Sequence, residues 1–404
     1  MRIAPLLVLA ALGCQRHDDP PQAGSTSPVE AERPATSQLE RPPAAPEAHE
    51  AHDAPRPPAP PLPDPLPGTR KDVTALVGSA YRAAIGDLAG DGKREIVLAD
   101  ATKLRVVDPR TGRELASTAA PGGANILVAL DVDGDHHPEI VVGWGTSRDH
   151  RDAPARVVMY RLDKEHLVEE TLFAPDTSRA EIVAILPWET NALLVAYFES
   201  KYLVRSVVLR RGAKGWEPTQ LASLRTATSY ARGDIDGDGK PELVVGRVYG
   251  DAKGVDGDAF LLGPDGKRDA IPTTRGVRSI AVVDGEIYLG DGWHQNYAQL
   301  AHGLLTWAHH TSSGFRSELI EDMPGQYAIE RIAPAKIDDR TILVTSGSQY
   351  VRVFARASDR WTGLTIAGAA RDIAVGDLDG IAGDEILIVG DRSEIVSLRG
   401  IWAR

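Results

Sequence analysis

A single cysteine, Cys14, is the whole cysteine content of this 404-residue chain, so no disulfide can form within it. An exported protein without disulfides needs another way to pin its loops. Aromatic residues make up only 5% of the chain, which leaves an aliphatic core as the sole option. Positive charge is in deficit, with 45 Lys and Arg against 57 Asp and Glu and a formal net charge of −12. That balance excludes a nucleic-acid phosphate backbone as partner and suits a protein that binds cations. Amphipathic stretches of helical period are scarce. No G-x-S-x-G, H-E-x-x-H or Walker loop occurs, so nothing marks a catalytic centre and the expectation is a non-enzyme.

What is present begins with a processing signal. Met1-Arg2 is a short basic start, Ile3 to Leu12 is apolar, and Gly13-Cys14 ends the run. The stretch is too short to span a bilayer as a helix, which takes about 20 residues. Ala11-Leu12-Gly13-Cys14 resembles a bacterial lipobox, with Ala11 where leucine is usual. That resemblance implies a signal peptide over 1–13 and lipidation of Cys14, hence a membrane attachment through the lipid anchor only. It places the protein in a bacterial cell envelope, at the outer membrane, with its domain periplasmic or surface-exposed. The same residues also read as an ordinary cleaved signal with an incidental cysteine. Residues 14–68 follow as a Pro/Ala-rich tether in which 15 of the 28 prolines fall. Without an apolar period it is expected to be disordered, with polyproline II geometry over Pro55–Gly68.

From residue 69 to 404 the texture is all-β: short β-branched runs alternate with Gly, Asp and Pro turns. Four acidic loops recur, each followed at once by an aliphatic strand: GDLAGDGKREIVL from Gly86, LDVDGDHHPEIVV from Leu130, GDIDGDGKPELVV from Gly233 and GDLDGIAGDEILIV from Gly376. Three degenerate copies fill the gaps, at Ala180–Phe198, Arg278–Gly292 and Glu330–Gly347. Taking Asp87, Asp131, Leu186, Asp234, Asp284, Lys336 and Asp377 as markers, the spacings are 44, 55, 48, 50, 52 and 41 residues. A period near 48 with about four short strands per unit predicts a seven-bladed β-propeller. The first unit should place strands at Ala83–Gly86, Glu95–Ala99, Leu104–Val107 and Glu114–Ser117, and the second should open at Ile126–Leu130. The last unit lacks an outer strand, which Asp72–Val77 is expected to supply, closing the ring and removing two exposed edges.

Each acidic loop follows D-x-D-G-D-G-x-x-E, with side-chain oxygens at positions 1, 3, 5 and 9, a carbonyl at 7, and glycines that permit a left-handed turn. Such oxygen sets suit a hard cation, above all calcium. An EF-hand would need its last glutamate at position 12 and flanking helices, so that alternative is rejected. The fullest copy offers Asp234, Asp236, Asp238, the Lys240 carbonyl and Glu242. The second offers Asp131, Asp133, Asp135, the His137 carbonyl and Glu139, with His136 in place of a glycine. The first offers Asp87, Asp91, the Lys93 carbonyl and Glu95, with Ala89 at position 3. The last offers Asp377, Asp379 and Glu385, with Ile381 at position 5. Read blandly, each is an Asp-Gly turn between strands. The repeat resembles the FG-GAP/VCBS family, the propeller repeats of integrin α-subunit heads and many bacterial envelope proteins, strongly in four units and weakly in three. The resemblance implies that the loop joins the first two strands of a blade and binds a structural Ca2+, with an expected Kd in the ~10⁻⁴–10⁻³ M range of extracellular modules.

Inserts between second and third strands should gather on the opposite face, carrying Trp144, Arg148, His150, Tyr249, Trp293, His294, Asn296 and Tyr297. Aromatic and amide side chains suit a glycan or protein ligand, and equally suit packing on one another. The expected function is a non-enzymatic binding, adhesion or scaffold module. The alternative is an envelope enzyme acting on polysaccharide from these loops.

Overall fold

The computed structural model describes residues 70–72, 79–146, 153–177, 181–250, 257–291, 302–324, 328–338, 340–347, 349–358, 360–391 and 393–399. These residues all lie within one compact unit, Ala48–Arg404. They form 28 strands in seven four-stranded antiparallel sheets and no helix.

Each sheet is one blade, read from the axis outward in chain order. The first holds Arg82–Gly86, Glu95–Ala99, Lys103–Val107 and Glu114–Ala119. The expected strands agree with these to within two residues at each end. The second opens at Gly123–Leu130, the third at Ile182–Glu189, the fourth at Ala227–Gly233, the fifth at Val277–Val283, the sixth at Ile329–Ile337 and the seventh at Asp372–Gly376. Each of these inner strands packs on the next, and the seventh packs back on the first, which closes the ring.

Closure uses the expected device with a shifted segment. Arg70–Asp72 pairs antiparallel with Glu394–Ser397, in register Arg70 to Val396 and Asp72 to Glu394. Of the expected closing strand Asp72–Val77, Asp72 takes part, and residues 73–77 lie outside the described residues.

The core explains why the second strands are aliphatic without alternation. Seven apolar clusters fill the seven interfaces between adjacent blades. Successive residues of a strand point to opposite faces. Ile96 and Leu98 therefore meet the seventh blade, while Val97 and Ala99 meet the second. All four are fully buried. A strand packed on both faces must be apolar at every position, so the runs that follow each acidic loop are a demand of the ring.

Where the acids are missing, the loop between first and second strands contracts to a tight hairpin. Asn191, Asp284 and Asp338 take left-handed conformations there, with φ of 61°, 51° and 50°. Asn and Asp tolerate that region better than bulkier residues.

Candidate metal loops and the opposite face

The four acidic loops each join the inner strand of a blade to its second strand. Their backbones are ordered by their own carboxylates. At position 9, Glu95, Glu139, Glu242 and Glu385 each accept the amide of position 2, from Leu88, Val132, Ile235 and Leu378, at 2.8–2.9 Å. At position 1, Asp131, Asp234 and Asp377 accept the amide of the glycine at position 4, at 2.7–2.8 Å. Asp135 and Asp238, at position 5, accept the amides of His137 and Lys240 at 2.8 and 2.7 Å. These bonds fold the loop and leave acceptor capacity, because an ionised carboxylate offers about four lone-pair sites.

Three sets of acids then converge: Asp131, Asp133 and Glu139; Asp234, Asp236 and Glu242; and Asp377, Asp379 and Glu385, each with one oxygen per residue within 4.8 Å of the others. The first loop forms no such set. There Asp87 accepts the amides of Asp91 and Gly92, both at 3.0 Å, and Asp91 pairs with Lys93 Nζ at 3.0 Å. Ala89 at position 3 supplies no oxygen from its side chain.

The loops differ most in what sits opposite them. Arg161, on the third strand of the second blade, donates to Asp133 at 2.9 Å and to Glu139 at 3.1 Å. In the seventh blade Arg399 goes further. Its guanidinium donates to both oxygens of Asp379, at 2.8 and 2.9 Å, to the carbonyls of Ile381, Ala382 and Gly383 at 2.9, 3.0 and 3.0 Å, and to Glu385. Those acceptors include loop positions 3, 5, 7 and 9, the set a metal would use. The cation held by the seventh loop in this structure is an arginine. In the fourth blade the strand pairing brings Leu262 opposite Leu243, so Gly263 follows beside Glu242 and no arginine enters. Lys240 Nζ, 3.4 Å from Asp238, is the only cationic group paired with an acid of that loop among the described residues.

Burial pushes the Glu95, Glu139 and Glu385 carboxyls above the ordinary glutamate value, against the pull of their amide donors. A hydrogen bond from Arg399 draws Asp379 below the ordinary aspartate value. Acids crowded in this way favour a positive partner, and the donor set of the fourth blade fits a hard, oxygen-seeking cation best.

Position 6 tests the turn. Gly92 and Gly239 take φ of 79° and 84°, and His136 is forced to 71°. A Cβ added at Gly239 would meet nothing within 4 Å. Gly239→Ala should therefore cost about 1–2 kcal/mol through the backbone alone, measurable by chemical denaturation in chelator. His136→Gly should cost nothing or stabilise slightly.

On the opposite face, two of the eight candidate ligand residues are described. Trp144 corrects the sequence reading. It closes the second strand Glu139–Gly145, is fully buried between the first and second blades, and donates its indole N–H to Tyr160 Oη at 3.1 Å. It is a core residue, held inward because its strand is covered on both faces. Tyr249 is half-buried, and its backbone exchanges hydrogen bonds with Thr226 Oγ1 at 2.7 and 3.1 Å. Arg148, His150, Trp293, His294, Asn296 and Tyr297 lie outside the described residues, as do Cys14 and the tether.

The fold and its loops define a class: a seven-bladed β-propeller with acidic hairpins on one face. No protein-family model matches the chain, and no curated protein matches it. Among solved structures it is similar to a crystal structure of BBS1N in complex with ARL6DN, soaked with mercury, at 12% identity and a TM-score of 0.52, covering 81% of this chain and 95% of that one. A lead-soaked crystal of the same complex gives 12% and 0.52, covering 82% and 96%. At that identity the likeness concerns the fold.

Proposed function

We propose that this propeller is a non-enzymatic binding or scaffold module, stabilised by Ca2+ and presented at a bacterial envelope by a lipid on Cys14. The observation that carries the metal half is the convergence of Asp234, Asp236 and Glu242, none of which is ion-paired with an arginine among the described residues. Asp238 and the Lys240 carbonyl would complete the set. A bound ion would hold a turn: the chain supplies enough oxygens to surround it, and no position is set aside for chemistry. Such an ion would serve the pinning role that disulfides fill elsewhere. The FG-GAP/VCBS-like repeat and the lipobox-like segment support the envelope reading. A propeller of the same fold has been crystallised with a protein partner, which is in keeping with a glycan or protein ligand here.

The test is titration of the purified chain with CaCl2. Binding to the native state alone stabilises by about 2.7 kcal/mol at a hundredfold excess over Kd, so the melting temperature should rise by several degrees in chelator-to-calcium comparisons. Asp236→Asn with Glu242→Gln should remove the larger part of that rise. A chain whose melting curve and titration heat ignore ~10 mM calcium would refute the metal half.

A further inference from the structure

The inner strands begin at the ring's axis, at the end away from the acidic loops, and there enclose a cavity of about 350 Å³ lined by all seven blades. Its wall is built by a repeated irregularity. In five inner strands the ladder to the second strand skips one residue: Asn125, Val183, Thr228, Arg278 and Glu330. A bulge re-aims the side chain of its extra residue and interrupts pairing. All five bulged residues line the cavity.

The charges around it are uneven. Arg278, Arg331, Arg371 and Arg82 come from blades five, six, seven and one, which are neighbours in the ring. Against these four cations stand Glu330 and Asp372. Arg331 is held by Asp372 at 2.7 and 3.0 Å, Arg278 by Glu330 at 2.5 Å, and Arg371 by the exposed Asp391, which is not part of the cavity wall, at 2.9 Å. Arg82 donates only to the carbonyls of Asn125, Tyr81 and Arg371, at 2.7, 3.0 and 3.4 Å. No carboxylate pairs with it among the described residues. Burial pushes its guanidinium below the ordinary value, while the attraction of Asp372 and Glu330 outweighs the repulsion of Arg331 and Arg278. Blades two and three bring no charge. They contribute the half-buried Ile126, Val128 and Val183 instead.

We propose that this axial cavity binds a small organic anion, with its anionic head against the arginine arc and its apolar body against the wall formed by blades two and three. A guanidinium is suited to carboxylate and phosphate oxygens, and the cavity wall carries four guanidinia against two carboxylates in a protein of charge −12, so the attraction is local. The cavity takes up both halves of such a ligand; a purely apolar or a purely ionic molecule satisfies one side and leaves the other facing water. This site is independent of the metal loops.

The experiment uses the full chain, with hexanoate and phenylacetate as probes and acetate and 1-hexanol as controls, read by calorimetry and melting temperature. Hexanoate and phenylacetate should bind saturably and raise the melting temperature, and each control should bind at least tenfold more weakly. Arg278→Gln removes a partly exposed member of the arc, and Val183→Asp puts a negative charge on the apolar wall. Each should weaken hexanoate at least tenfold while leaving the calcium response unchanged. The proposal is overturned if neither probe binds saturably at ~10 mM, if 1-hexanol or acetate binds as well as hexanoate, or if both variants bind hexanoate like the parent chain.

Discussion

Asp372→Ala should be among the most damaging single substitutions in the ring, lowering stability by about 3–5 kcal/mol. The carboxylate is fully buried and ties three blades together. Its oxygens accept from Arg331 Nε and Nη2 of the sixth blade at 2.7 and 3.0 Å, from the Ala83 amide of the first at 3.2 Å, and from its own neighbour Ile373 in the seventh at 3.0 Å. Truncation orphans two buried amides and leaves a guanidinium among other guanidinia. Asp372 is the main cause holding Arg331 above its ordinary value, so the loss falls on both partners. A half-buried guanidinium stripped of its buried carboxylate costs more than the pair contributes. The double variant Arg331→Met with Asp372→Ala should therefore recover much of the loss, leaving the cost of the two amides. Urea denaturation of the four chains of this cycle, all in chelator, provides the measurement. A single-variant loss below about 1 kcal/mol would mean that water reaches and solvates the site, and that the three-blade tie is incidental.

The parts of this structure that were legible in the sequence are those written locally. The acidic loops sit on contiguous residues, and the runs after them are apolar because the ring covers both strand faces, so loop and strand together fix the period, the blade number and the strands of the first blade. The closing strand begins at Arg70, two residues before the expected start at Asp72, because so short an edge segment has no periodicity to display. Gly143 and Gly145 on either side of Trp144 give it the local look of a loop residue. The better signal was the unbroken apolar run from Ile140, which carries the strand through Trp144 to Gly145. Arg161 and Arg399 carry no local signal, for a different reason. Whether the third strand brings an arginine to an acidic loop depends on its register with the second: Tyr160 faces Ile140, so Arg161 falls beside Glu139, whereas the same offset in the fourth blade yields Gly263. In the seventh blade Ser397 faces Glu385, and Arg399 reaches the loop from two residues beyond the strand. The arginine arc at the axis is likewise assembled from residues nearly three hundred positions apart, and only the closed ring shows it.

Arg399→Gln should convert the seventh loop from a self-filled site to a metal site. In chelator the variant should be less stable by about 1.5–3 kcal/mol, the worth of hydrogen bonds to charged groups. Glu385, only 3% exposed, would then keep its charge without a counter-ion. In calcium the order of effects reverses. The freed acceptors are Asp379 at position 3, the Ile381 and Gly383 carbonyls at 5 and 7, and Glu385 at 9, with Asp377 already in the set. The variant should bind one more equivalent of Ca2+ or Tb3+ than the parent chain and show the larger rise in melting temperature. Arg399→Lys distinguishes charge from geometry. An ammonium neutralises the acids but cannot reach six acceptors with a planar fork, so it should restore part of the stability and still block the additional equivalent. Asp379→Asn in the parent chain should leave metal stoichiometry unchanged; loss of an equivalent there would show that calcium displaces the guanidinium and that the seventh blade is closed by metal after all. If the expected pattern is found, the blade that also takes in Arg70–Asp72 to close the ring is pinned by a cation that the chain carries covalently. Chelation would then loosen loops elsewhere in the ring without opening its seam, and hydrogen exchange in chelator should show the seventh blade protected as well as it is in calcium.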